Sequence, residues 1–235
     1  MKLSVFLAAT LVAFASIASA APLCTSLNVV TLADYVALGS TGCQIGDKVF
    51  FNFFDSPTSG GSATAPVPAS AVSVTPVGAG TYNPGLTFSS SDWSVTGGST
   101  TANSFLDMSF GFTVSVLPGG NSIDDASVTM GTPVTTGTGV VTLGETILAA
   151  NGFTVLGTLN VASSGSPVAE TFFAPTSTIQ VKKDFFLGVP QNGTGTASIS
   201  TFTENFSEIP EPVGAILIGS GLLALGAWRR RGNRG

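Results

Sequence analysis

The side chains able to do chemistry are few, and their absences exclude more than their presence suggests. The 235-residue chain has no histidine, which removes Ser-His-Asp and Cys-His nucleophiles and every imidazole ligand for zinc. A Ser-x-x-Lys nucleophile fails as well, because Ile45, Ile179 and Gln180 stand three positions before Lys48, Lys182 and Lys183. Asp124 and Asp125 are adjacent; neighbours in a strand point to opposite faces, so they do not flank one sugar as glycoside hydrolysis requires. The pair is a calcium candidate, but no loop of alternating Asp or Asn ending in Gly supports it, and solvated turn residues are the plainer reading. Gly137-Thr138-Gly139 lacks the third glycine of a dinucleotide loop and reads as a turn. These patterns predict no catalytic residue, no metal and no cofactor, hence no enzyme.

Two cysteines, Cys24 and Cys43, make an even count that reads as one disulfide in an oxidising compartment. It closes a loop of about 20 residues, for about 3 kcal/mol in the chain-entropy description. A redox pair wants Cys-x-x-Cys, and a metal site wants more ligands. Sugar-binding platforms use exposed Trp and Tyr. Trp93 and Tyr82 flank one predicted strand and are the candidate glycan contacts, with core or rim packing as the favoured role.

The elements that position these residues read as strands. Between 105 and 117, Leu106, Met108, Phe110, Phe112, Val114 and Val116 alternate with Asp107, Ser109, Gly111, Thr113 and Ser115, one face core and one face solvent. Further strands are predicted at 48–54, 71–75, 85–89, 92–96, 122–130, 139–143, 145–149, 153–162, 178–187 and 195–206. Asn151-Gly152 predicts a type I′ hairpin, while 58–70 and 163–176 read as long loops. Thr31 before Ala33-Asp34 predicts the cap of a short helix. The expected fold is all-β, a β-sandwich of antiparallel sheets with an N-terminal signal helix and a C-terminal single transmembrane helix.

Both ends carry addresses. Met1-Lys2, the apolar run 3–17 and Ala18-Ser19-Ala20 form a signal peptide over 1–20, cut after the small residues Ala18 and Ala20. Leu23 before Cys24 argues against lipidation, which needs a small residue there. The predicted exported domain is 21–209, where three lysines face twelve carboxylates for a net charge of −9. That balance disfavours nucleic acid and anionic lipid. From 210 to 235 come Pro210-Glu211-Pro212, an uncharged run over 213–228, then Arg229, Arg230 and Arg231. Sixteen residues at about 1.5 Å each reach about 24 Å, short of a roughly 30 Å hydrocarbon core but able to span with local thinning. The arginines place the C-terminus in the cytoplasm.

This ordered tail resembles the PEP-CTERM sorting domain of bacterial surface proteins. Two further stretches resemble segments that recur in ectodomains of that group: Gly42 to Lys48 followed by Phe50-Phe51-Asn52-Phe53, and Val181-Lys182-Lys183-Asp184. The resemblance implies an exosortase as processing partner, with Pro210, Glu211 and Pro212 as signal and Arg229 to Arg231 as stop. It also implies transient residence in the inner membrane of a Gram-negative type of cell. Delivery then follows to the cell surface or exopolysaccharide matrix, with exopolysaccharide as a further partner. The reading from sequence is a structural or adhesive matrix protein. A carbohydrate-binding module is the alternative, and a secreted hydrolase the weakest third.

Overall fold

The computed structural model describes residues 21–61, 65–97 and 100–207. The expected signal segment with Ala18 and Ala20, and the tail with Pro210, Glu211, Pro212, Arg229, Arg230 and Arg231, lie outside the described residues. No helix among those described is long and apolar enough to cross a membrane.

After a single 3-10 turn at Cys24–Ser26, helix α1 spans Leu32–Ala37. Its start is fixed as the sequence predicts: the Thr31 hydroxyl accepts the Asp34 N–H at 3.2 Å, and the Asp34 carboxylate accepts the Thr31 N–H at 2.9 Å. Strands β1 (Cys43–Ile45), β2 (Lys48–Gly60), β3 (Ser73–Val77), β4 (Gly85–Ser89), β5 (Ser94–Thr96), β6 (Ser104–Val116) and β7 (Ile123–Met130) follow. Then come β8 (Val134–Thr135), β9 (Val140–Ala149), β10 (Val155–Ala162), β11 (Val168–Thr176), β12 (Thr178–Val189), β13 (Thr196–Ser198) and β14 (Thr201–Asn205).

All pairings between these strands are antiparallel. One sheet has the order β1-β2-β6-β12-β9-β10, a second β11-β7-β14-β4-β3, and a small third β5-β13-β8. The two larger sheets face each other across an aromatic core, an arrangement consistent with a β-sandwich. Phe88 of β4 stacks on Phe202 of β14 at 5.1 Å and on Phe112 of β6 at 6.2 Å, so rings from both sheets interdigitate. The alternation along β6 holds as predicted, with Leu106, Met108, Phe110, Phe112 and Val114 buried.

Five local expectations are corrected. The segment read as a loop over 163–176 contains β11, an edge strand paired to β7 whose half-exposed alternation is too weak to announce itself. Strand β2 runs on through Pro57 to Gly60; β1 covers only its first residues, so proline meets an open edge and breaks no ladder there. A bulge between Phe51 and Phe54, with Asn52 at φ 53°, turns the strand midway. The segment 195–206 divides between the small sheet and β14, while 139–149 is one strand despite Gly144. Asn151-Gly152 is not a type I′ turn. Gly152 alone is left-handed, its N–H bonds Ala149 O at 2.9 Å, and the Asn151 side chain caps Phe153 and Thr154.

Candidate functional site on the outer sheet face

Trp93, one of the two glycan candidates, is 1% exposed. It packs against Phe185 at 4.8 Å, and its Nε1–H points at Met108 Sδ, 3.3 Å away. An indole enclosed this way offers no face to a sugar, so the platform role is corrected to core packing. Tyr82 is 61% exposed in the turn after Gly78. Cys24 and Cys43 form the predicted disulfide, both buried, tying the segment before α1 to the edge strand β1.

The acidic neighbours have structural partners. Asp125 is buried and accepts the Ser207 backbone N–H at 2.9 Å as well as the Ser207 hydroxyl, fixing the chain where it leaves β14. Burial, then the charge of Asp125, pushes the Asp124 carboxyl above its ordinary pKa. Among the described residues no group of three or more His, Cys, Asp or Glu side chains is placed to hold a metal.

The surface best built for contact is the outer face of the six-stranded sheet. Its register places Asp107 beside Phe186, and Ser109 beside Asp184, across the β6–β12 pair. Phe105 and Phe186 stack at 6.2 Å and 19°. Glycines let these rings lie down on the sheet: a Cβ at Gly60 would meet the Phe105 ring at 2.6 Å, and one at Gly188 the Phe186 ring at 2.6 Å. Phe54 lies over Gly111 in the same way, 2.7 Å from where its Cβ would stand. Phe105, Phe186, Val140 and Asp107 line a depression of about 580 Å³.

Electrostatics set this face apart. Asp107 Oδ1 is buried without a hydrogen-bond partner. Burial first, then the charge and hydrogen bond of Asp184, raises the Asp107 carboxyl above its ordinary pKa. Two hydrogen-bonded carboxyls are too close to straddle a scissile sugar bond, which needs about 5 Å or more between them. They suit donation and acceptance of hydrogen bonds beside an apolar floor. Sequence reading missed this site because the odd-numbered side of β6 reads as plain solvent face. The odd-numbered phase of β6, holding Phe105 and Asp107, was its available signal.

Neither a protein-family model nor a curated relative matches the sequence. Among solved structures, that of TmCBM61 in complex with beta-1,4-galactotriose aligns at 13% identity and a TM-score of 0.30, covering 66% of this chain and 88% of that one. A likeness at that score carries no argument about this chain.

Proposed function

We propose that this chain is an exported, non-enzymatic protein of a bacterial surface or exopolysaccharide matrix, with a structural or adhesive role. The observation that supports it is the disulfide Cys24–Cys43, buried at 2% and 0% exposure, a bond that persists in oxidising compartments. It stands just after the proposed signal peptide. In this reading the Pro210-Glu211-Pro212 tail, its apolar run and Arg229 to Arg231 direct the chain to an exosortase, and the domain is released outside. The test is mass spectrometry of both termini of protein recovered, by compartment, from its host. A chain beginning near Ala21 and ending close to Pro210 supports the reading. An arginine tail retained on membrane-bound protein in wild-type cells refutes the sorting step.

A second reading, glycan binding, is favoured by the rings lying flat at Phe105 and Phe186 beside Asp107 and Asp184. Apolar sugar faces stack on such rings while hydroxyls bond carboxyls. Its test is gel retardation by the host's own polysaccharide, with and without Phe186→Ala. Equal retardation of both proteins, or none of either, removes it.

A further inference from the structure

The core encloses a charged cluster. Lys183 of β12 pairs in register with Glu145 of β9 on one side and Phe110 of β6 on the other, all on the inner face. Glu204 of β14 enters from the opposing sheet, where Leu86 and Val128 flank it. The lysine Nζ bonds the Glu145 Oε2 and lies 2.5 Å from Glu204 Oε2, and all three side chains have 0% exposure. Its Nζ also lies 5.7 Å from the centre of the Phe202 ring. The other carboxylate oxygens, Glu145 Oε1 and Glu204 Oε1, are buried with no hydrogen-bond partner.

As a purely ionic device this cluster is badly made. Burying charges costs several kcal/mol each unless every lone pair is satisfied, and here two oxygens are not. One ammonium also faces two carboxylates. Burial, followed by the charge of Glu145, holds Glu204 well above its ordinary pKa, which favours its neutral acid form. For Lys183, burial lowers the pKa but the two carboxylates raise it further, so the proton it must shed has to go to a direct partner. Glu145 is that partner.

We propose that Lys183 and Glu204 join autocatalytically as an amide linking the two large sheets, with Glu145 as the proton carrier. The Lys183 ammonium gives one proton to the Glu145 carboxylate, and the free amine adds to Cδ of the Glu204 acid. A second proton passes from nitrogen to the departing hydroxyl through Glu145; the C–O bond breaks, water leaves, and the Nζ–Cδ bond remains. Atoms balance as amine plus acid to amide plus water, with no oxidant or cofactor. Glu145 ends protonated, so no charge stays in the core. Fixing the reactants side by side replaces a bimolecular encounter, and expelling water into solvent favours the amide in a dry interior.

The test is peptide mapping of the full chain, recovered folded from a bacterial host, reduced and digested with trypsin and chymotrypsin. The expected product is a branched pair, Lys183 joined to Glu204, lighter by one water than its two linear peptides. Glu204→Gln should form the same branch with loss of ammonia instead of water, and Glu145→Gln, folded by circular dichroism, should stay linear. Linear peptides with a free Lys183 in folded wild-type protein overturn the proposal. A branch at Glu145, or one that survives in Glu145→Gln, overturns the roles assigned to the two carboxyls. Lys183→Arg keeps the charge and supplies the unlinked reference.

Discussion

Trp93 and Phe202 lie almost parallel, their planes 14° apart and their ring centroids 5.4 Å apart. The contact joins the chain entering the small sheet to the centre of the large core. Trp93→Ala should therefore cost about 3–5 kcal/mol by leaving a cavity of indole size. Urea unfolding measures this. A loss below about 1 kcal/mol would show that the ring is not enclosed.

The Thr31 cap makes a smaller, pH-dependent contribution. Thr31→Ala should cost about 1 kcal/mol. The hydrogen bond from Thr31 first, then the backbone N–H groups of Val30 and Thr31, hold Asp34 below its ordinary pKa of 3.8. The folded state thus binds that proton less readily than the unfolded chain. Stability from Asp34 is full above 3.8 and disappears as pH falls through the lowered value. Acid titration of Tm in wild type and Asp34→Asn tests it, the variant having the shallower acid limb.

Asp107 runs the other way. Its carboxyl is raised above 3.8, so the folded state holds the proton more tightly, and stability falls as pH rises from there through the raised value. Asp107→Asn should raise Tm at neutral pH and leave it unchanged in strong acid. An equal gain at both pH values would refute the titration as the cause.

Two glycines of the outer face separate packing from binding. At Gly111 a Cβ would stand 2.1 Å from the Val181 carbonyl oxygen, a backbone atom held in the ladder. Gly111→Ala should destabilise by about 1–3 kcal/mol. At Gly188 the obstacle is the Phe186 side chain, which can swing away. Gly188→Ala should fold nearly as well as wild type but, if polysaccharide binds there, lose retardation along with the flat ring.

Removing the disulfide with Cys24→Ser and Cys43→Ser should cost about 3 kcal/mol, as expected for a loop of this length. In the native protein both sulfurs are buried, so a reductant should open the bond only at the rate of unfolding. Thiol labelling over time in mild reductant checks this.

The parts of the fold that could be read ahead were those where one side of a strand is wet. Strand β6 alternates cleanly, whereas β11, at an edge, alternates between half-exposed and exposed and passed for a loop. The Cys24–Cys43 bond followed from an even count. For Trp93 core packing is the outcome, the role its residue type favours over a sugar platform. Lys183 enters the sequence reading only as one of three lysines in the charge balance, yet it shares its phase with Ile179, Val181, Phe185 and Leu187, all buried. Glu145 lies in phase with Leu143 and Ile147 in the same way, and Glu204 with Phe202. Period-two phase carried the information that charge counting discarded. What it could not carry was distance: that strands 59 positions apart, at Glu145 and Glu204, converge on one amine depends on the stacking of two sheets.

Strand β14 lies in the middle of its sheet, between β7 and β4. Tension applied to the chain beyond Ser207 would enter the domain through this strand and run along its length. Both neighbours are antiparallel to it, so their rungs would be sheared together and could not be peeled open singly. A domain tugged from that end would yield abruptly and at high force, the behaviour wanted of a part that holds while its surroundings flow.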